Sequence, residues 1–436
     1  MARIRPFNGL RYRLAGKDAS ALLAPPYDVV DAAGRAEIGS RSPNNCIHIL
    51  LPEGEGDATY PEGAAQFKRI TEEALERDEK PSFYVYHQRF EFDGVEYLRR
   101  GFVCLIELTP FGEGPVLPHE RTLKGPKADR LALMQACDAH LELVFGLFSD
   151  PEKKWEAAVA SALGEPSMDC EFDGVQHQLF AVSDPALCQE LAKVLADKKI
   201  YIADGHHRYE TMCAFSKQLQ AAGRGEGAAK WGMIYLSNLD DDGLVVRPTH
   251  RIVHGLANFG DAELQSALDS ARAYFDVTEY SLAEYGSVAQ ISALLEKEGA
   301  KAAAFALAPV GGDTLYGLTL KSDFDPGAAG LGDLPAALQR LDVALLHELV
   351  LERSLGIDKE AQANKTNLRY FKSYDEALAL VNNGGQGAQL VCFMNPTPVA
   401  DVVAVCDSGQ VMPQKSTFFH PKIPTGLVFH DLSREG

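Results

Sequence analysis

The sequence predicts an α/β protein with mixed sheets, and three observations carry that prediction. Short runs rich in β-branched and aromatic residues alternate with longer amphipathic stretches along all 436 residues. Two such runs flank Asp93-Gly94, the dipeptide that type I′ hairpin turns prefer, so at least one strand pair is antiparallel. At Tyr201 an apolar strand runs through Asp204-Gly205 directly into a helix, in "YIADGHHRYETM".

Taken in order, "APPYDVV" (24–30) reads as a Pro-stiffened turn into a short strand. "YPEGAAQFKRITEEALERD" reads as a helix, and the hairpin around Asp93-Gly94 follows. The charged loop "LPHERTLKGPKADRLALM" enters a helix near Ala128. "PEKKWEAAVASALG" is a helix, "HQLFAVSD" a strand and "PALCQELAKVLAD" a helix, leading to the strand at 200–203 and the motif helix. On that helix Met212, Phe215 and Leu219 recur at spacings of three and four, which makes one buried face, and Gly223 is its stop. "WGMIYLSNL" and "LVVRPTHRIV" are strands, and a helix opens near Asp261. "AAAFALAPV" is a strand and "LDVALLHELVLERSLGI" a helix; "QLVCFMNPT" and "DVVAVCDSGQVMP" are strands. A basic, Pro-rich loop, "PQKSTFFHPKIPTG", follows. The length exceeds one compact core, and three regions are expected: 1–118, 119–258 with the motif, and 259–436.

Apolar content of 46% and charged content of 24% fit a globular protein. A net charge of −19 argues against nucleic acid and anionic membranes as partners. No run approaches the roughly 18 apolar residues of a membrane span, and the N-terminus lacks the apolar segment of a secretory signal. The eight cysteines are scattered without a C-x-x-C pair, which suits reduced thiols and a cytoplasmic location. No zinc, Fe–S or flavin site is expected.

The helix start at Gly205 poses a chemical problem. The first N–H groups of a helix lack intrahelical partners and carry partial positive charge, so they favour an anion. His206, His207 and Arg208 place cationic or potentially cationic groups there instead. A bound phosphate or carboxylate resolves the conflict: Arg208 grips it bidentately and a histidine donates to it or moves a proton. Asp204 is positioned to cap the helix, accept a hydroxyl proton or hold Mg²⁺. The structural alternative is that Asp204 caps the helix and Arg208 pairs with a carboxylate such as Glu210.

Two further runs carry similar chemistry. "HERTLKGPKADR" holds His119, Glu120, Lys124, Lys127 and Arg130: either a solvated loop, or an acid/base glutamate with cations that clamp phosphate. "PQKSTFFHPK" holds Lys415, His420 and Lys422: a basic lid, or a tail packed by its aromatic residues. Tyr27 and Asp28 of "PPYDVV" are unusual, but the prolines alone account for a turn. His119-Glu120 and His347-Glu348 lack the second histidine of H-E-x-x-H, and "GRGEGA" follows a helix, the wrong order for a dinucleotide fold.

The strings "APPYDVV", "HERTLKGPKADR", "YIADGHHRYET", "LDVALLHELVLE" and "MPQKSTFFHPKIPTGLV" resemble the DUF1015 family over nearly the whole chain. More distantly, "DGHHRYE" is similar to the strand-to-helix segment of the ParB/sulfiredoxin fold and to the D-G-H-x-R segment of free serine kinases. That resemblance implies a ParB/sulfiredoxin-like core with α/β regions on either side. It implies phosphate held by Gly205, His206, His207 and Arg208, with Asp204 as the catalytic aspartate and Glu120 as the kinase glutamate. Sulfiredoxin's reactive cysteine is replaced by His206, so sulfinic-acid reduction is not implied. The expected activity is phosphoryl transfer to or from a small hydroxylated metabolite, as a free serine kinase or a phosphoserine phosphatase. Catalytic roles fall to Asp204, Glu120 and His207. Phosphate and nucleotide contacts fall to Gly205, His206, Arg208, His119, Lys124, Lys127, Arg130 and Lys415. Asp204 would carry Mg²⁺ and ATP or ADP would be the donor, with a homodimer as one form of assembly. The alternative is a nucleotide-binding sensor without turnover.

Overall fold

The computed structural model describes residues 1–54, 56–122, 124–225 and 227–434, and the side chains of Asp57, Lys124, Pro126 and Arg434 lie outside the described part. Its central feature is the hairpin Phe83–Phe92 and Val95–Glu107. Asp93 and Gly94 turn it with φ of 51° and 76°, the paired positive angles of a type I′ turn.

The chain divides into two compact units. One comprises Met1–Pro118, Thr122–Val245 and Pro421–Gly436; the other comprises His119–Arg121 and Val246–His420. Both are α/β, with mixed pairing in the sheet of the first, as the sequence predicts.

In the first unit, nine strands among the described residues join one mixed sheet. Its path runs Val116–Leu117, Ile200–Asp204, Val144–Phe148, Trp231–Asn238, Val95–Glu107, Phe83–Phe92, Val175–Val182, Met168–Phe172, with Ile4–Arg5 added against Val95–Glu107. Ile200–Asp204 lies parallel to Val116–Leu117 and antiparallel to Val144–Phe148. Phe83, Phe102, Phe148, Trp155, Ile202 and Ile234 are among the fully or nearly fully buried residues of its core. Helix Lys124–Cys137 packs against both Thr59–Ala74 and the motif helix His206–Ala221. A second core, with Ile49, Leu50, Phe67, Leu133 and Phe429, includes residues from far apart in the sequence.

The second unit is built on a six-stranded antiparallel sheet in the order Phe275–Ser281, Thr314–Leu320, Ala304–Pro309, Ala388–Met394, His250–His254, Leu368–Phe371. Helices Val288–Gly299 and Tyr374–Asn383 cover it with Leu295 and Val381 against Ile252, Ala306, Val391 and Phe393.

Three local expectations are corrected. "APPYDVV" contributes no strand beyond a single bridge between Ala24 and Thr425; Tyr27–Val29 is a short 3-10 turn. Pro26 fixes the entry to that turn, and the three residues after it wind too tightly to pair. "DVVAVCD" lies in a helix, Val399–Asp407, because Val402, Val405 and Cys406 are buried on one face at helical spacing; that packing overrides their β preference. "LDVALLHELVLE" begins as the helix Asp342–Leu345 and widens into a π-helical turn over Leu346–Glu352. All eight cysteines are buried, and none is joined in a disulfide. Among the described residues no helix is long and apolar enough to cross a membrane.

Candidate functional site

The site in the first unit begins with a β-bulge. Tyr201 and Ile202 pair with Leu147 and Gly146, but Asp204 pairs with Phe145, so Ala203 is an extra residue. A bulge re-aims the side chain that follows it, here Asp204. The chain then enters the helix through Gly205 at φ +88°. A Cβ there would lie 2.9 Å from Arg208 Nε, so both the backbone angle and the close guanidinium call for glycine. Asp204 is the last residue of the strand, and Gly205 takes the N-cap position of the helix.

Asp204 is an ion-pair centre. Arg208 Nη2 donates to its Oδ2 and Lys422 Nζ to its Oδ1, each at 2.5 Å. Arg208 Nη1 also donates to the Leu143 carbonyl. Burial works against the Arg208 charge, but Asp204 first, then Glu142 and Asp28, outweigh it and raise its pKa. The conflict between Arg208 and the helix dipole is thus met by a carboxylate one turn earlier, and not by Glu210. Glu210 pairs with Lys127 at 3.1 Å and accepts from Thr122.

Lys422 is placed by a buried polar fork. Fully buried Arg99 stacks over the Phe145 ring at 4.8 Å and donates to Gln88 and, at 2.6 Å, to the Pro421 carbonyl. Gln88 Nε2 donates to the Lys422 carbonyl at 3.1 Å. These bonds fix the backbone from which Lys422 reaches Asp204.

Behind Arg208 lies Glu142, whose Oε2 is 3.6 Å from Arg130 Nη1 and whose Oε1 is 3.5 Å from the Tyr27 N–H. Arg130 pairs with Asp129 at 2.7 Å, donates to the Leu50 carbonyl at 3.0 Å, and lies 4.2 Å over the Tyr27 ring. Burial, then Glu142 and Asp28, push the Tyr27 hydroxyl up to about 12. Charges therefore alternate from Lys422 through Asp204, Arg208, Glu142 and Arg130 to Asp129. Three sequence strings converge here: "PPYD", the "ADR" of the charged loop, and "DGHHR".

His206 is buried and His207 half-buried, its carbonyl accepting from Thr211 Oγ1 at 2.7 Å. Between helices Lys124–Cys137 and His206–Ala221 is a cleft of about 350 Å³ with Phe111, Leu131 and Ala214 in its wall and Lys127, Glu210 and Lys217 among its polar lining residues. Cys213 also lines it; burial pushes this thiol up to about 12, which keeps it a thiol and not a nucleophilic thiolate.

The remaining candidates lie in the second unit. Buried His119 meets Thr417 Oγ1 through Nε2 at 2.7 Å. Glu120 Oε1 accepts from the Ser416 N–H at 3.2 Å. Lys415 has φ +57°, and its carbonyl accepts from Arg251 Nη2 at 3.1 Å. These bonds tie residues 119–120 to 412–417, where Met412 N–H also donates to the His119 carbonyl at 2.8 Å. The side chain of Lys124 lies outside the described residues. Among the described residues no group of three His, Cys, Asp or Glu is gathered to hold a metal, and each Asp204 oxygen is engaged by a cation.

Sequence reading passed over Glu142 and Arg99. Glu142 is a lone acidic residue in an otherwise apolar stretch, "AHLELVF", and Arg99 is the first of two adjacent arginines in "YLRRGFV"; a buried charge requires partners.

Fold and site together define a two-unit α/β protein with an alternating-charge cluster at a strand-to-helix junction. The chain belongs to the DUF1015 family, described as "Protein of unknown function (DUF1015)", whose pattern matches residues 4–344. None of the curated proteins matches it. Among solved structures, a conserved hypothetical protein from Pyrococcus furiosus is 14% identical, with 71% of this chain and 90% of that chain covered and a TM-score of 0.34. A free serine kinase mutant in complex with AMP is 12% identical, with 70% and 84% covered and a TM-score of 0.35. SbnI with a C-terminal truncation, from Staphylococcus aureus, is 8% identical, with 73% and 84% covered and a TM-score of 0.35. At such scores the likenesses carry no argument about chemistry, which is read from this chain's own residues.

Proposed function

We propose that the protein catalyses phosphoryl transfer to or from a small hydroxylated metabolite, with the phosphoryl group bound by Arg208 and Lys422. The observation that carries this reading is that a guanidinium and an ammonium converge on Asp204 at a helix start. Asp204 holds both cations in position before substrate arrives, so the site does not reorganise when charge develops. A phosphoryl group, with more negative charge and more acceptor oxygens than a carboxylate, competes for the same donors. Arg208 offers a planar fork and Lys422 a compact charge. The N–H groups of the helix start add partial positive charge, and the cleft between the two helices suits the rest of the substrate or a nucleotide donor such as ATP or ADP. Serine and phosphoserine are the first substrates to test, on the resemblance of "DGHHR".

Mg²⁺ does not fit Asp204 as it is arranged, since an incoming ion would have to displace Lys422 or Arg208. No step is therefore assigned to it. The same engagement of both oxygens favours a second reading, a nucleotide-responsive protein without turnover.

A screen decides between them. ATP, ADP and pyrophosphate are offered with serine and other small alcohols, and phosphoserine alone, each with and without Mg²⁺. Arg208→Lys and Lys422→Met should each weaken phosphoester binding. Tight nucleotide binding without turnover establishes the sensor. Binding of no phosphate compound by wild type refutes both readings.

A further inference from the structure

Glu142 is a buried carboxylate with unused hydrogen-bonding capacity. Its side chain is 6% exposed, yet among the described residues neither oxygen has a polar partner nearer than 3.5 Å. A buried ionised group needs close hydrogen bonds, and a polar gap of this length is where a bridging water belongs. A void of about 20 Å³ adjoins it, lined on its polar side by Glu142, Arg130 and Arg208 and elsewhere by Leu133, Leu141 and Met212 among others. One water needs roughly 10–15 Å³ and two to four polar partners. The void supplies both and has no room for a carbon skeleton.

From this geometry we infer that Glu142 holds and deprotonates an attacking water, making the reaction hydrolysis of a phosphate monoester. The inference rests on the reading that Arg208 and Lys422 bind the phosphoryl group. Arg208 borders both places: it donates to Asp204, and to the Leu143 carbonyl next to Glu142. In the free protein each Asp204 oxygen accepts from a cation at 2.5 Å, whereas neither Glu142 oxygen has so close a partner. In the step, the water oxygen forms a bond to phosphorus and the bond from phosphorus to the ester oxygen breaks. The water's proton passes to Glu142, and the departing alkoxide takes a proton from solvent. Glu142 then returns its proton to solvent.

The test uses the full chain with phosphoserine and p-nitrophenyl phosphate in ¹⁸O-water. Wild type should release orthophosphate carrying one solvent oxygen per turnover, and added serine should not divert the phosphoryl group. Glu142→Gln should lose about 10²–10⁴-fold in kcat, the contribution of a general base, with KM and the affinity for inorganic phosphate unchanged. Wild-type turnover by Glu142→Gln, or transfer to serine in preference to water, overturns the inference while phosphate binding at Arg208 and Lys422 stands. If Glu142→Gln does not fold, the ¹⁸O and serine partition of wild type decides alone. If wild type binds no inorganic phosphate, the phosphoryl-transfer reading falls and takes this inference with it.

Discussion

Replacing Asp204 by Asn keeps the size of the side chain and one acceptor oxygen, and removes the negative charge between two cations. The side chains of Asp204, Arg208 and Lys422 are 24%, 8% and 19% exposed, so the pairs are mostly but not wholly buried. An exposed pair contributes about 1 kcal/mol or less, and removing one partner of a fully buried pair costs about 3–5 kcal/mol. Asp204→Asn should therefore destabilise the first unit by ~2–3 kcal/mol, or ~5–10 °C in Tm for a unit of this size. The loss should be conditional. With the carboxylate gone, inorganic phosphate meets no competitor for Arg208 and Lys422 and should bind the variant more tightly than wild type. Ligand at 100 times its Kd adds about 2.7 kcal/mol, enough to restore most of the deficit. Trp155 and Trp231, the only two tryptophans, both lie in the first unit, so their fluorescence during thermal unfolding reports on it. Phosphate raising the Tm of wild type and variant by the same amount, or of neither, would refute the account of Asp204 as a placeholder for a bound oxyanion.

Gly205→Ala should cost about 1–2 kcal/mol from the left-handed φ and weaken phosphate binding by pushing Arg208 aside; an unchanged Tm and affinity would show that neither constraint matters. Acid should weaken the first unit more than the second. Burial first holds His87 and His177 down at about 4, and burial with the neighbouring His430 holds His140 well below its ordinary value. The unfolded chain protonates these near pH 6.5, so between about pH 6.5 and 4 it binds more protons than the folded unit, and stability falls with pH by up to ~4 kcal/mol per unit. In the second unit burial holds His250 and His347 at about 3, with the same sign. Burial of Asp342 raises it to about 7, so the folded form takes up a proton there first, and this contribution grows as pH falls. Denaturant titrations from pH 8 to 4, followed by tryptophan for the first unit and far-UV circular dichroism for the whole, should separate the two slopes. A flat tryptophan midpoint would contradict the buried neutral histidines.

The strand, the glycine and the helix of "YIADGHHRYETM" were readable because their signals are local: an apolar run, a residue tolerant of positive φ, and helical spacing. The partners of Asp204 were only half readable. Arg208 is one turn away, but Lys422 is 218 positions distant and sits in a basic, aromatic stretch that reads equally well as a packed tail. Glu142 was hidden for the opposite reason: it is a single acidic residue among apolar neighbours, and no motif or charge cluster singles it out. "DVVAVCD" shows a third obstacle, since β-branched residues at alternating positions can also satisfy a helical face once a core is present. The run "HERTLKGPKADR" looked like one block of charge. Residues 119–121 belong to the second unit and Thr122 onward to the first, a division that no feature of composition marks.

The first unit is not finished when its main stretch ends at Val245; it resumes at Pro421, after the whole of the second unit's long segment. A ribosome therefore delivers Asp204 and Arg208 early and Lys422 late. A nascent chain carries half of the charge cluster while residues 246–420 are still being made, and Pro421, which anchors the Arg99 fork, has yet to appear. An interrupted copy released before Pro421 lacks Lys422 and leaves one Asp204 oxygen without that cation, so the charge cluster is complete only when the last segment of the first unit has been made.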